Sequence, residues 1–355
     1  MISNIQIIGS RELGGAEQFF IRFANALAQR VSVRCVLPPD SSLLGGLESS
    51  IPISKIPMRN VWDIVARIRI KQVIEITKPT IVQTWLGRAT RLTKLRKRSG
   101  VVHIARLGGY YDVSGYQHAD AWVGNTRGIC NYLVGKGLPA NKVFHIGNFY
   151  EPELDLHSDD HEWRVRHALG IGSEDWLILT AARLHPNKGI SDLLEAIALI
   201  PNEIQGRRTR FVIAGDGPLL KELRLQSTQL ALRERICWTG WLDELAPYYQ
   251  AADLFVCPSR HEPLGNVILE AWFHELPIIS TANLGALELI NDQVDGIVCP
   301  VQDPKALADS VTAILRQSSA DRAGLAARGK ETLTSNYSKQ AIMNAYIELY
   351  DQLSS

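Results

Sequence analysis

The chain has 355 residues, 46% hydrophobic and 21% charged with a formal net charge of +1, an ordinary balance for a soluble globular protein and a length that predicts two or three domains. No apolar run reaches the roughly 18 residues that span a bilayer, and Met1-Ile2-Ser3-Asn4 is not a basic segment leading into an apolar one, so neither a membrane span nor a signal peptide is expected. The near-zero charge hides an asymmetry: residues 1–150 hold 20 Lys+Arg against 8 Asp+Glu, a net of +12, whereas residues 151–355 hold 18 against 29, a net of −11.

Short β-rich runs alternate with amphipathic segments, which predicts βαβ units and parallel sheets. Strands are expected at 5–9, 31–37, 81–84, 101–106, 121–124 and 143–146. After Gly15, residues Ala16, Phe19, Phe20, Phe23, Ala24 and Leu27 fall at helical spacing and predict a helix with one buried face. A second helix, around Trp62, Ile64, Val65 and Ile68, carries Arg67, Arg69 and Lys71. The polar, acidic, Pro-containing stretch 148–161 is expected to be the crossing between a domain at 1–150 and another at 151–337. The alternation then restarts, with strands at 176–181, 210–214, 254–257 and 277–280 and helices at 190–200, 218–231, 266–273 and 304–316. A last helix, 338–353, has Ser338 as its cap.

Two segments carry the chemistry. Ala182-Arg183-Leu184-His185-Pro186-Asn187-Lys188-Gly189 follows the strand at 176–181, and His261-Glu262-Pro263-Leu264-Gly265-Asn266-Val267-Ile268-Leu269-Glu270-Ala271 follows the strand at 254–257. Ligands of open α/β sheets bind past the carboxyl ends of strands. Arg183 and Lys188 suit a diphosphate at a helix N-terminus and would neutralise charge as it leaves. Glu262 and Glu270 suit sugar hydroxyls, Asn266 can cap the helix that follows, and the backbone N–H groups of Gly265, Asn266 and Val267 would point at a phosphate. The plain alternatives are a solvated loop with two surface cations and a structural salt bridge. Gly14-Gly15-Ala16-Glu17 would let a ligand approach the backbone. Glycines 9, 14 and 15 do not make the dinucleotide fingerprint, and Gly215-Asp216-Gly217-Pro218 reads mainly as a turn. The nine histidines form no HxH or HExxH pair, no Asp-x-Asp occurs, and the five scattered cysteines show no CxxC. No metal site and no cofactor are therefore expected, and the thiols fit a reducing cytoplasm.

Taken together, Gly14-Gly15-Ala16-Glu17, Ala182-Arg183-Leu184 with Lys188-Gly189, Gly215-Asp216-Gly217-Pro218, and Glu262-Pro263-Leu264-Gly265 ending in Glu270-Ala271 resemble glycosyltransferase family four in order and spacing over almost the whole chain. The resemblance implies an α/β protein of the GT-B fold, two Rossmann-like domains with parallel sheets facing a central cleft. It implies an acceptor-binding domain at 1–150, onto which the final helix, 338–355, packs back, and a nucleotide-sugar domain at 151–337. It implies a retaining, metal-independent transferase with Arg183, Lys188 and Glu262 as catalytic residues, Arg183 and Lys188 on the donor diphosphate, Glu262 on the donor sugar and Glu270 on the ribose. Gly15, Leu264, Gly265, Asn266 and Val267 complete the expected donor side. A front-face reaction, in which the leaving phosphate takes the acceptor's proton, requires no separate base. Many relatives carry a His soon after the strand at 101–106; here that segment reads Arg106-Leu107-Gly108-Gly109-Tyr110-Tyr111-Asp112 and is similar to enzymes that extend the lipopolysaccharide core. Arg106, Tyr110 and Asp112 are the acceptor-side candidates, while His103 and His118 read as structural.

The expected partners are a nucleotide sugar and a glycolipid or oligosaccharide acceptor of the cell envelope. A non-catalytic nucleotide-sugar-binding subunit, an epimerase of the same fold and a nicotinamide oxidoreductase are the other readings. Arg88, Arg91, Lys94, Arg96, Lys97 and Arg98 cluster beside the helix around Trp62. Such a surface suits an anionic leaflet, placing the protein in the cytoplasm or peripherally on the inner membrane face; the alternative is a helix covering the sheet with its charges in water. Without interleaved aromatics it does not suit nucleic acid.

Overall fold

The structure, a computed structural model, describes residues 3–95, 100–152 and 160–354. Arg96, Lys97 and Arg98 and most of the expected crossing lie outside the described residues. The chain divides into two compact units, Met1–Phe149 with Ser338–Ser355, and Tyr150–Tyr337.

The first unit holds seven parallel strands: β1 (Ser3–Ile8), β2 (Ser32–Leu37), β3 (Ile53–Lys55), β4 (Ile81–Trp85), β5 (Val102–Leu107), β6 (Ala121–Gly124) and β7 (Val143–His145). Their spatial order is β3-β2-β1-β4-β5-β6-β7, so the order reverses between β1 and β4. β4 is buried along its whole length, so its polar Gln83 and Thr84 are sequestered as well. Helix Gly15–Ala28 places Phe19, Phe20 and Phe23 around Trp85, whose indole N–H donates to Gln6 Oε1 at 2.6 Å. The final helix, Lys339–Ser354, belongs to this unit. Ser338 Oγ accepts from Ala341 N–H at 3.3 Å, the Tyr346 ring lies 4.5 Å from Phe23, and Tyr350 donates to Gln83 Oε1 at 2.8 Å.

The second unit repeats the plan. β8 (Trp176–Ala181), β10 (Arg207–Ala214), β11 (Ile236–Gly240), β12 (Leu254–Cys257), β13 (Ile278–Thr281) and β14 (Ile297–Cys299) run parallel in the order β11-β10-β8-β12-β13-β14. The short strand β9 (Glu203–Ile204) turns back on β10. The order reverses between β8 and β12. Helices Ile190–Leu199 and Pro304–Arg316 bury Leu193, Leu194, Ile197, Leu307, Val311 and Ile314 in one core beneath this sheet.

The parallel α/β architecture is the one the alternation predicts. Four strands escaped prediction: β9 has two residues and β3 and β14 three each, too few to show a period, and β11 is only partly buried. Helix Ser319–Asn336 also escaped, because most of its turns carry charge and it buries only Leu325, Ala326, Gly329 and Leu333. Among the described residues no helix is long and apolar enough to cross a membrane.

Candidate functional site

In the second unit the strand-order reversal falls between β8 and β12, where open sheets bind ligands. The loops leaving these strands, 182–189 and 258–265, are the two segments singled out in the sequence. Gly189 joins them. Its φ is +63°, and a Cβ there would meet Pro258 O at 2.0 Å, so only glycine lets the backbones come this close. His261 N–H also donates to Asn187 O at 3.1 Å. Loop 182–189 is braced from its other side, where Leu184 N–H donates to Asp216 O at 2.9 Å. The Gly-Asp-Gly-Pro turn therefore supports this loop.

Lys188 Nζ and Glu262 Oε2 meet across the loops in an ion pair, both side chains mostly buried. An ammonium has three donors and this bond uses one, so Lys188 can still donate to an anion. The Arg183 side chain is exposed and makes no hydrogen bond or ion pair among the described residues, while its backbone O accepts from His185 N–H at 2.8 Å. Glu262 O accepts from Gly285 N–H at 2.8 Å, which fixes the loop at the carboxylate.

Gly265, at φ +86°, ends the loop and is itself the N-cap of helix Asn266–Phe273. This corrects the expectation that Asn266 is the cap: Asn266 is the first helical residue, and the N-cap is Gly265, which has no side chain to cap the end. The positive end of the helix dipole is thereby presented beside Glu262. Leu264 is buried beneath this turn, and Val267 follows in the first turn. Glu270, just over one turn in, is 8% exposed. Its Oε2 accepts from the Tyr249 hydroxyl at 3.0 Å. Burial, and then the Glu270 charge, push the Tyr249 hydroxyl well above its ordinary pKa, so it stays a donor and Glu270 is held in one orientation. Sequence reasoning missed Tyr249, because nothing in Pro247-Tyr248-Tyr249-Gln250 distinguishes it from any core aromatic. It also missed Arg260, whose Nε and Nη2 donate to Asp192 Oδ2 and Oδ1 at 2.7 and 2.5 Å, tying the second loop to the helix that follows the first.

The remaining candidates lie in the first unit. Gly14 is the extended N-cap of its helix, again without a side-chain cap. Glu17 folds back over Gly14 and accepts from Ser10 Oγ at 2.6 Å; Gly15 opens the helix beside it. Arg106 is the penultimate residue of β5 and is 3% exposed. Its guanidinium lies 4.8 Å from the Phe19 ring centre and 4.5 Å from that of Trp85. Nε donates to the Tyr346 hydroxyl at 3.1 Å and Nη2 donates to Asn148 Oδ1. No carboxylate pairs with it among the described residues. Tyr110 packs edge-on against Tyr132 at 5.4 Å. Asp112 is exposed, accepts from Ser114 N–H at 3.1 Å and pairs with Arg91 at 3.3 Å; the Ser114 bonds hold its carboxyl below the usual range. His103 is fully buried against Thr84 Oγ1 at 2.9 Å, and burial lowers it to about 3. His118 Nε2 lies 2.9 Å from the carbonyl oxygens of Thr90 and Thr93. Arg88 donates to Gly9 O at 2.8 Å and is thereby drawn away from the basic cluster.

Among the described residues no group of three or more His, Cys, Asp or Glu could hold a metal ion. The second-unit loops thus present an exposed guanidinium, a partly satisfied ammonium, a helix end whose N-cap is a glycine and two held carboxylates. That set can bind an anion beside hydroxyl-bearing rings.

Residues 161–332 match the family model described as Glycosyl transferases group 1. The lipopolysaccharide core biosynthesis glycosyltransferase LpsE of Rhizobium meliloti (strain 1021) is 31% identical over 340 residues, covering 95% of each chain. A second lipopolysaccharide core biosynthesis glycosyltransferase of the same organism, LpsD, is 28% identical over 347 residues, covering 96% of this chain and 95% of its own. The crystal structure of Anabaena HepE in complex with UDP and glucose superposes with a TM-score of 0.84 at 19% identity, over 99% of this chain and all of HepE.

Proposed function

Because the chain belongs to the glycosyl transferases group 1 family and has the GT-B fold, we propose that it moves a sugar from a nucleoside diphosphate to an acceptor hydroxyl with retention of anomeric configuration. The observation that carries this reading is the Lys188–Glu262 pair at the β8/β12 reversal, beside exposed Arg183. Arg183, the remaining N–H groups of Lys188 and the N-terminus of helix Asn266–Phe273, with its Gly265, Asn266 and Val267 backbone, take the diphosphate. They neutralise its growing charge as the glycosidic bond breaks. Glu262 accepts from the donor sugar and Glu270 from the ribose. Leu264 and Gly15 complete the donor side. The departing phosphate oxygen takes the acceptor's proton, so no side-chain base and no metal ion take part. The complexes of HepE with UDP and glucose support a nucleotide-sugar donor.

The acceptor is a cell-envelope glycolipid of the lipopolysaccharide-core class, a reading supported by the similarity to LpsE and LpsD, both lipopolysaccharide core biosynthesis glycosyltransferases. It is read at the first unit, with Tyr110 and Asp112 at its loop and Arg106 setting the end of β5. The protein meets this lipid-linked acceptor peripherally, on the cytoplasmic face of a membrane, a reading supported by the net +12 of residues 1–150. Arg183→Ala or Lys188→Ala is expected to lower kcat/KM by at least about 100-fold, because one preorganised charge contact is worth roughly 3 kcal/mol in the transition state. Steady-state kinetics with a nucleotide sugar checks this. Near-normal activity in both variants overturns the assignment.

A further inference from the structure

At the carboxyl ends of β5 and β6 the first unit holds two N–H donors that have no acceptor. Arg106 and Asn125, the residue after β6, are 3% and 4% exposed. The guanidinium uses Nε on the Tyr346 hydroxyl and Nη2 on Asn148 Oδ1; Nη1 makes no hydrogen bond among the described residues. The Asn125 backbone N–H donates to Leu107 O at 3.3 Å, while its Oδ1 is buried without a hydrogen-bond partner. Both side chains converge on Gly108. A Cβ there would have Asn125 Nδ2 at 3.6 Å and Arg106 Nη1 at 3.7 Å and, chain neighbours aside, no other described atom within 4 Å. Gly108 is not among the residues at positive φ, so the backbone does not demand a glycine. What the missing side chain leaves is a cradle.

A buried cation without a counter-charge is costly, and an anion that reaches it relieves the cost. Helix Arg127–Gly135, whose N-cap is Thr126, begins just beyond Asn125 and adds the positive end of its dipole. Glu17 accepts from Ser10 Oγ at 2.6 Å and does not pair with Arg106. One positive charge and one neutral amide match a carboxylate, which has a single charge and two oxygens. A phosphate monoester carries about −1.5 to −2 and would keep part of that charge unmet, and a hydroxyl would leave Arg106 unpaired. An aromatic wall stands next to the cradle. The Tyr111 ring folds over Gly109, where a Cβ would lie 3.1 Å from Tyr111 Cζ. It stacks on Tyr116 at 10° and is 39% exposed. Burial, and then the Glu17 charge, raise the Tyr111 hydroxyl against the opposing pull of Arg106, so it stays neutral. An apolar face with a few placed donors holds a ligand ring in one orientation.

We propose that this cradle is an acceptor subsite for a sugar acid, in which Arg106 Nη1 and Asn125 Nδ2 donate to the carboxylate above Gly108 and Tyr111 backs the ring. The acceptor is then a glycan with an acidic sugar at, or next to, the sugar whose hydroxyl attacks. The inference rests on the reading of the first unit as the acceptor side, and it narrows that acceptor to a carboxylate-bearing class. Arg106 is divided between two roles: Nε and Nη2 seat the final helix and Asn148, and that bracing fixes where Nη1 points.

The test is ligand-observed NMR titration of the full chain with methyl glucuronide, methyl galacturonide, the two neutral methyl glycosides and glucose 6-phosphate, with thermal shift against UDP-glucose run in parallel. The wild type is expected to bind one of the uronides at least about tenfold more tightly than its neutral glycoside, the discrimination that a hydrogen bond to a charged group supplies, and more tightly than glucose 6-phosphate. Gly108→Ala makes only van der Waals contacts, so the melting temperature should hold while the added methyl takes the place of the carboxylate and abolishes the preference. Asn125→Asp supplies the missing counter-charge from within. Its melting temperature should hold or rise, and its uronide affinity should fall to that of the neutral glycoside. A wild type without the preference, a preference that survives in both variants, or tighter binding of glucose 6-phosphate overturns the inference. A thermal shift by UDP-glucuronate that exceeds that of UDP-glucose and is lost in Gly108→Ala would put the carboxylate on the donor, and overturns it too. If the uronide preference and its loss are as described but no nucleotide sugar shifts the melting temperature, the donor-site reading fails while the subsite stands. If UDP-glucose shifts it and no preference is found, the subsite fails alone.

Discussion

Tyr249 shows what one hydroxyl does at this site. It is fully buried, and it makes the O–H···Oε2 bond that orients Glu270. A hydrogen bond to a charged group is worth roughly 1.5–3 kcal/mol, so Tyr249→Phe is expected to raise the donor KM by about tenfold or more. If Glu270 meets the ribose, which is not the reacting centre, kcat should stay within about threefold. Initial-rate kinetics over donor concentration separates the two parameters; an unchanged KM removes Tyr249 from the donor site. The contrast with Lys188 and Glu262 shows how far the site was legible. Those two stand out in the sequence because charged residues beside glycine, just past an apolar run, have few structural reasons to be there. Their ion pair spans 74 positions, however, and nothing in either segment announces it. Tyr249 gave no sign, since a buried aromatic next to a strand is the commonest kind of core residue. Asn266 misled in the opposite direction: a good capping residue stands at the right place, but Gly265 at positive φ already ends the loop.

At the scale of elements, the final helix is the one whose place depends most on distant sequence. Ser338 and the periodicity of Ile342, Met343, Tyr346, Leu349 and Tyr350 make it a helix with an apolar face. Its seat against the first unit is set by Phe23, by Gln83 and by Arg106, whose guanidinium is held between aromatic rings and hydrogen-bonds the Tyr346 hydroxyl. Tyr346→Ala removes a wholly buried ring and is expected to cost about 3–5 kcal/mol. Tyr346→Phe removes only the acceptor of a buried cation and should cost about 1–3 kcal/mol. Urea unfolding followed by tryptophan fluorescence checks both. Equal, near-zero shifts would mean that the helix is not part of the first unit's core. β8, which the sequence revealed, is buried on both faces, where a nearly unbroken apolar run is dictated by the environment. β3 and β14 are too short to print a pattern, so only pairing with a neighbour makes them strands.

At the scale of the whole molecule, the proposed reaction leaves the charge on the departing diphosphate to side chains and helix ends rather than to a metal ion. Activity is therefore expected to persist in excess EDTA. A loss restored by magnesium or manganese would show that a metal ion carries part of that charge. The sequence by itself determined the α/β alternation, the two segments that bear the charged residues and the contrast between a basic and an acidic half. These are properties of local composition and period, which each stretch of chain carries wherever it lies. Only the tertiary structure decided which ends meet. The strand order puts β12 beside β8, and Gly189 lets loop 182–189 touch Pro258. Tyr249 is brought under Glu270. Arg106 is buried as a brace for the last helix, and Ile64, Val65 and Ile68 are turned outward while Ala66, Ile70 and Ile74 fill the core. A helix with apolar residues on both faces offers two sides to a core, and the neighbouring elements choose which of them is left facing outward.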